Sequence, residues 1–205
     1  MDPDPWRNPL NHHLAALRGD LEHMVEPEGR STGSWLPDVL ARVALVPRVR
    51  AVVQLRAAQA VAPRFMPAAH LLQARALRSA GAEISPFAQI GPGLCLMHST
   101  GIVVGPSVRI GRGLRIYQNV TLGDGSTPGQ PVVGDDVTIG AGACVLGGIT
   151  VGDRAVIGAN AVVTKDVPAD HVATGAPAVS RPRRRGSDPR LDALAREAGV
   201  ELTAV

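Results

Sequence analysis

Few side chains in this sequence could serve as nucleophile, base or metal ligand, and their spacing removes most of them. Cys95 and Cys144 have no C-x-x-C partner, so they read as small core residues rather than redox or metal groups. His12 and His13 are adjacent; on a helix they would point about 100° apart and could not share a metal. Of the six histidines, only His98 and the more distant His171 lie beyond residue 84. A lone histidine is ordinarily a satisfied surface residue, so its chemistry depends on what the fold brings beside it. The one dense basic run, Arg181, Arg183, Arg184 and Arg185, suits either phosphate binding or a solvated tail.

The elements that would position His98 follow from composition and periodicity. Only 2% of the 205 residues are aromatic, whereas there are 23 glycines and 17 prolines. A core without large rings must stack small aliphatic side chains in repeated layers. The length allows one good domain with an appendage. The net charge of +3 and pI near 9.5 do not indicate nucleic acid, because no aromatic residues interleave with the arginines; a small polyanionic ligand explains them as well. No signal-peptide pattern opens the chain, and the apolar stretch from Val43 to Ala62 is interrupted by Pro47, Arg48, Arg50 and Arg56. The expectation is a cytoplasmic protein in a reducing compartment, without membrane or nucleic-acid partners.

Residues 1–82 form an N-terminal helical region. A short helix around His12 and His13 is followed by two or three helices between Leu36 and Ser79, separated at Pro47 and around Pro63 and Pro67. At Ile84 the period changes to six. Aliphatic residues occupy positions 84, 90 and 96, then 104, 110, 116 and 122, then 133, 139, 145, 151, 157 and 163. A second small or aliphatic residue stands four places after many of them, as at Leu94, Val108, Leu114, Val120, Val137, Ala143, Ile149, Ala155 and Ala161. A period of six fits neither an α-helix nor alternating hairpin strands. It fits a solenoid in which each flat side is six residues long. Two phase breaks, a two-residue insertion between Leu96 and Val104 and an excursion from Asp124 to Pro131, mark loops that leave the coil. The last hexapeptide ends at Val167 and Pro168, Thr174 to Pro177 reads as coil, and residues 179–205 read as a basic tail with a short helix at Leu191, Leu194 and Ala195.

Residues 83–178 carry motifs as well as a period: MHSTGIVVG from Met97, YQNVTLG from Tyr117, IGAGACVLGGITVG from Ile139, IGANAVVTKDVP from Ile157 and TGAPA from Thr174. In these strings the chain resembles the serine acetyltransferases of the hexapeptide-repeat acyltransferase family. The resemblance implies a mainly β fold, a left-handed parallel β-helix behind short N-terminal helices; the left hand comes from the resemblance alone, since parallel crossovers are ordinarily right-handed. It implies a homotrimer with clefts between subunits, acetyl-CoA or another acyl-CoA as co-substrate, and O-acylation of a small hydroxylated acceptor.

The resemblance also implies roles for residues. His98, in its His-x-x-Gly context, would be the general base, and Glu83, fifteen positions earlier, would orient it. With eighteen residues per coil, that spacing places the two on adjacent coils, three residues from vertical register. The Glu83 carboxylate would hold the Nδ1 proton while Nε2 takes the proton of the acceptor hydroxyl. Ala141 and Ala159, eighteen residues apart, would stack beside Gly142 and Asn160. There small residues let backbone amides approach the pantetheine arm. Pro177 would continue that column at the same interval, Gly123 would line the same site, and Lys165 with the arginines would meet the CoA phosphates.

At the acceptor side, Met97, Gln118 and Gln130 are the candidate contacts. Met97 stands where the serine enzymes carry an aspartate for the substrate ammonium, and Gly129 and Gln130 replace an Arg-His pair that holds its carboxylate. Free serine is therefore expected to be a poor or secondary acceptor unless Asp38, Asp124 or an arginine of the helices supplies a substitute charge. Sugars, amines and specialised metabolites are the alternative acceptors. A γ-type carbonic anhydrase needs three histidines on one zinc, which the repeats do not offer, and no metal is expected. A non-catalytic assembly solenoid is the remaining alternative.

Overall fold

The computed structural model describes residues 10–25 and 35–183; the expected helix at Leu191–Ala195, and Arg184 and Arg185, lie outside them. Four helices come first: α1 (Leu10–Val25), α2 (Trp35–Leu45), α3 (Pro47–Val61) and α4 (Met66–Ala80). The prolines act as punctuation. Pro47 opens α3 and Pro67 lies in the first turn of α4, where a missing N–H costs nothing. Gly81 ends α4 in the left-handed region, φ +70, with its N–H on the Leu77 carbonyl.

From Glu83 onward the chain is a parallel β-helix of short strands. Successive strands fall in turn on three sheets: β1 (Glu83–Ile84), β4 (Val103–Val104), β7 (Thr121–Gly123), β10 (Cys144–Leu146) and β13 (Val162–Val163) on the first; β2 (Gln89–Ile90), β5 (Arg109–Ile110), β8 (Val132–Val133) and β11 (Thr150–Val151) on the second; β3 (Cys95–Leu96), β6 (Arg115–Ile116), β9 (Thr138–Ile139), β12 (Val156–Ile157) and β14 (His171–Thr174) on the third. Each of the thirteen aliphatic positions of the six-residue period is buried, at 6% exposure or less, as are the nine second positions named above, none above 4%. The period is thus the core itself, one aliphatic layer per coil.

The registers locate both insertions. Thr121 pairs with Val103 and Val162 with Cys144, steps of eighteen. Cys95 pairs with Arg115, a step of twenty, and Arg115 with Thr138, a step of twenty-three. The two- and five-residue excesses are the breaks read from the sequence.

The end of the helix departs from expectation. Val156 pairs with Val172, a step of only sixteen. Thr174 closes a strand, and β15 (Val179–Pro182) returns antiparallel to β14. The sheet thus runs four residues past the expected boundary at 178. A hairpin covers the last strand, which would otherwise expose its backbone groups.

At the other end, the helices pack onto the first coils and share one apolar cluster with them, Leu21, Met24, Val49, Val52 and Leu55 meeting Ile84, Ile90 and Leu94. A buried ion pair fixes this junction. Arg56 holds both Asp20 oxygens, at 2.7 and 3.1 Å, and donates to the Ile90 and Gly91 carbonyls at 2.7 Å. Asp20 in turn accepts from the Leu94 amide at 2.8 Å.

Candidate active site

One edge of the β-helix, where the chain passes from the third sheet to the first, gathers most of the predicted site residues. Gly142 N–H donates to the Gln118 carbonyl at 2.9 Å, and Asn160 N–H to the Ala141 carbonyl at 2.8 Å. Gln118, Ala141 and Ala159 are therefore stacked, as the eighteen-residue spacing of the last two requires. Gly142 has φ +71, and a Cβ there would fall on the amide oxygen of Asn160, so this corner tolerates no side chain. Ala159 and Asn160 are exposed and Ala141 half-buried. At Gly123 a Cβ would meet nothing within 4 Å. Gly123 ends β7, across the first sheet from this edge; the upper edge itself carries small side chains, with the Asn160 amide lying over Gly142.

Lower on the same edge lies His98. Asn119 N–H donates to the Thr100 carbonyl at 2.9 Å, which puts Thr100 beneath Gln118 in ordinary register. The two extra residues of that coil thus fall within Met97–Ser99. They push His98 out of the coil. Its ring is exposed and tilts at 56° to Tyr117, centroids 6.4 Å apart.

The insertion corrects the expected offset of the pair. Glu83 aligns with Val103, so His98 precedes the register position by five residues, not three. Glu83 is exposed at the start of β1, on the adjacent coil and flanking the same edge. Among the described residues no hydrogen bond or ion pair joins its carboxylate to the imidazole.

Other predicted residues separate. With a last step of sixteen, the residue above Ala159 is Gly175, and Pro177 follows it by two, after a cis peptide bond. Lys165 is exposed just beyond β13, and Arg181 is exposed within β15. Gln130 lies across Gly105, its Oε1 accepting from the Ser107 amide at 2.8 Å and its Nε2 donating to Asp124 at 3.1 Å. Both its polar ends are engaged in pinning the excursion to the coil. Gln118 is half-buried, with its Oε1 buried and unpartnered.

Two cations near His98 were not singled out from sequence. Arg48, in the first turn of α3, donates to the Met97 carbonyl at 3.0 Å, and Arg115 is the Cα partner of Cys95. Burial pushes the Cys95 thiol pKa up, while Arg115 and Arg48 act in the opposite direction. From sequence, Arg48 is one of several arginines of the helices that could supply a substitute charge, distinguished only as one of those interrupting an apolar stretch. Among the described residues no group of three or more His, Cys, Asp and Glu could hold a metal ion.

Known proteins resemble this chain in both sequence and structure. Residues 130–165 match the family described as bacterial transferase hexapeptide (six repeats). Serine acetyltransferase of Helicobacter pylori strain J99 is 41% identical over 166 residues, covering 79% of this chain and 94% of that protein. That of Mycobacterium tuberculosis is 39% identical over 171 residues, 80% of this chain and 71% of the relative. The crystal structure of Neisseria gonorrhoeae serine acetyltransferase in complex with serine superposes with a TM-score of 0.71 at 31% identity, covering 82% of this chain and 69% of that one.

Proposed function

Since the chain belongs to the serine acetyltransferase family and is an acyltransferase, we propose that it moves an acetyl group from acetyl-CoA to the hydroxyl of a small acceptor, with His98 as general base. The observation that carries this reading is the edge itself: an extruded, exposed imidazole stands below a stack of small residues. The acceptor oxygen attacks the thioester carbon while its proton passes to His98 Nε2. The tetrahedral intermediate then expels the CoA thiolate, which takes the proton back from His98. Glu83, across the same edge, holds Nδ1 in the working site, and backbone amides of the stack stabilise the oxyanion. Gly123, Ala141, Gly142, Ala159 and Asn160 take the pantetheine, with Pro177, Lys165 and Arg181 toward the nucleotide end.

Three copies assembled around the flat sheet faces would complete the cleft. Val103 and Val132, on adjoining faces, are 39% and 43% exposed in the single chain, which supports burial against neighbours. Sedimentation of a fully active monomer would exclude the trimer. The cytoplasm is the proposed compartment; among the described residues no helix is long and apolar enough to cross a membrane.

The N. gonorrhoeae complex places serine among the acceptors to be tested. Met97 offers no partner to its ammonium, and Gln130 is engaged elsewhere, so free serine is proposed as a poor acceptor.

The decisive experiment is acetyl transfer by His98→Ala. Turnover should fall by about a hundredfold or more with acetyl-CoA affinity retained, and Glu83→Gln should lose less. Near-normal turnover in His98→Ala would overturn the assignment.

A further inference from the structure

The charge at the His98 edge comes from residues that the transfer chemistry does not need. Arg48 uses Nη1 on the Met97 carbonyl, one residue before the base. Its Nε is buried without a hydrogen-bond partner, and among the described residues none is paired with Nη2. Nε and Nη2 form the side-on edge of a guanidinium, the pair that grips a carboxylate with two parallel hydrogen bonds. Arg50, two residues on, also has an unpartnered Nε. However, its terminal nitrogens are spent on the Ala44 and Ser79 carbonyls, tying the helices together. Arg48 alone of the two is aimed at the coil.

The surroundings strengthen the contrast. Arg115 adds a second positive charge on the coil above Cys95. Asp20 is the acidic group acting on the same spot, but it is fully buried and gripped by Arg56. Met97 itself is apolar, packed on the core and accepting the Cys95 thiol at 3.6 Å. A molecule with its hydroxyl at His98 therefore meets guanidinium groups on the Met97 side, with the exposed Glu83 as the carboxylate on the adjacent coil.

We infer that Arg48 is a specificity-determining residue whose Nε–Nη2 edge binds a carboxylate carried beside the acceptor's hydroxyl, so that the preferred acceptor is a small hydroxy acid rather than an amino alcohol. The inference rests on His98 as the reaction centre. It gives the helical region a part in the site, because the first turn of α3 delivers the charge that the Asp124–Pro131 excursion lacks.

The test compares kcat/KM for glycolate, its neutral isostere glycolamide and the cationic ethanolamine, each with acetyl-CoA. The wild-type protein should favour glycolate over glycolamide by about tenfold or more, with ethanolamine poorest. Arg48→Met should bring glycolate to within about twofold of glycolamide, mainly through a higher KM for glycolate. Arg48→Lys should recover part of the preference, because an ammonium keeps the charge without the side-on pair. Arg18→Gln, on the exposed face of α1, is the control and should keep the wild-type ratio. Equal loss for both acceptors in Arg48→Met would show a structural role only and overturn the inference. So would a wild-type enzyme that acetylates all three alike in a His98-dependent manner, which leaves the base assignment standing. Transfer to none of them would also overturn the inference, whereas transfer that survives His98→Ala would bring down the reading of His98 and this inference with it.

Discussion

The lower and upper halves of one edge of the β-helix share a backbone path and differ in almost everything attached to it. Around Met97–Ser99 the coil has two extra residues, an exposed histidine, two nearby arginines and helices packed against it. Around Ala141–Gly142 and Ala159–Asn160 it keeps the eighteen-residue step and carries only small side chains. The lower half carries the titratable and charged groups; the upper half carries small side chains. A solenoid allows this division because each coil contacts only its neighbours, so one can be modified without disturbing the rest.

The comparison is broken most severely by removing what fixes the helices to the lower coils. Arg56→Met strands the Asp20 carboxylate, which is 0% exposed, and breaking one side of a buried ion pair costs about 3–5 kcal/mol. Chemical denaturation should show a loss of that size, with the helical region separating from the coils before the upper coils unfold. A loss below about 1 kcal/mol would mean that apolar packing alone holds the junction.

A milder substitution probes the upper half. Ala159→Leu puts a branched side chain on the exposed stack directly above Ala141. KM for acetyl-CoA should rise about tenfold, the equivalent of one or two lost backbone hydrogen bonds, and more than kcat falls. Stability should hardly change. A fall in kcat at constant KM would place the donor elsewhere and erase the distinction between the halves.

The smallest effect is expected beyond the stack, at the last coils. Arg154 pairs with Asp170 at 2.6 Å and holds its carboxyl below the usual carboxylate range. A depressed carboxylate pKa stabilises the fold above the unfolded-state value, and the contribution disappears as pH falls through the folded-state value. Both side chains are about half exposed, at 49% and 58%, so Asp170→Asn should cost at most about 0.5–1 kcal/mol at pH 7. Thermal melts of the two proteins should converge as the solution is acidified through the carboxylate range. A difference that persists in acid would show that the side chain acts by packing rather than by charge.

The six-residue period determined, from the sequence alone, which residues face inward at every coil. An aliphatic layer is readable wherever its register is regular, and the two insertions were visible as phase breaks. Pro47 and Pro67 likewise marked the starts of helices, because the missing N–H is tolerated only there. What the sequence could not supply is the geometry made by departures from that period. The two-residue insertion moved His98 from a three-residue to a five-residue offset from Glu83. The sixteen-residue last step carried Pro177 off the Ala141–Ala159 column. Strand β15 was not visible because an antiparallel return has no six-residue signal. Arg48 lies 49 residues from Met97 along the chain, and only the packing of α3 on the first coils brings its guanidinium to the Met97 carbonyl, next to His98. Local periodicity encodes what each coil buries, whereas contacts between elements remote in sequence exist only once the chain has folded.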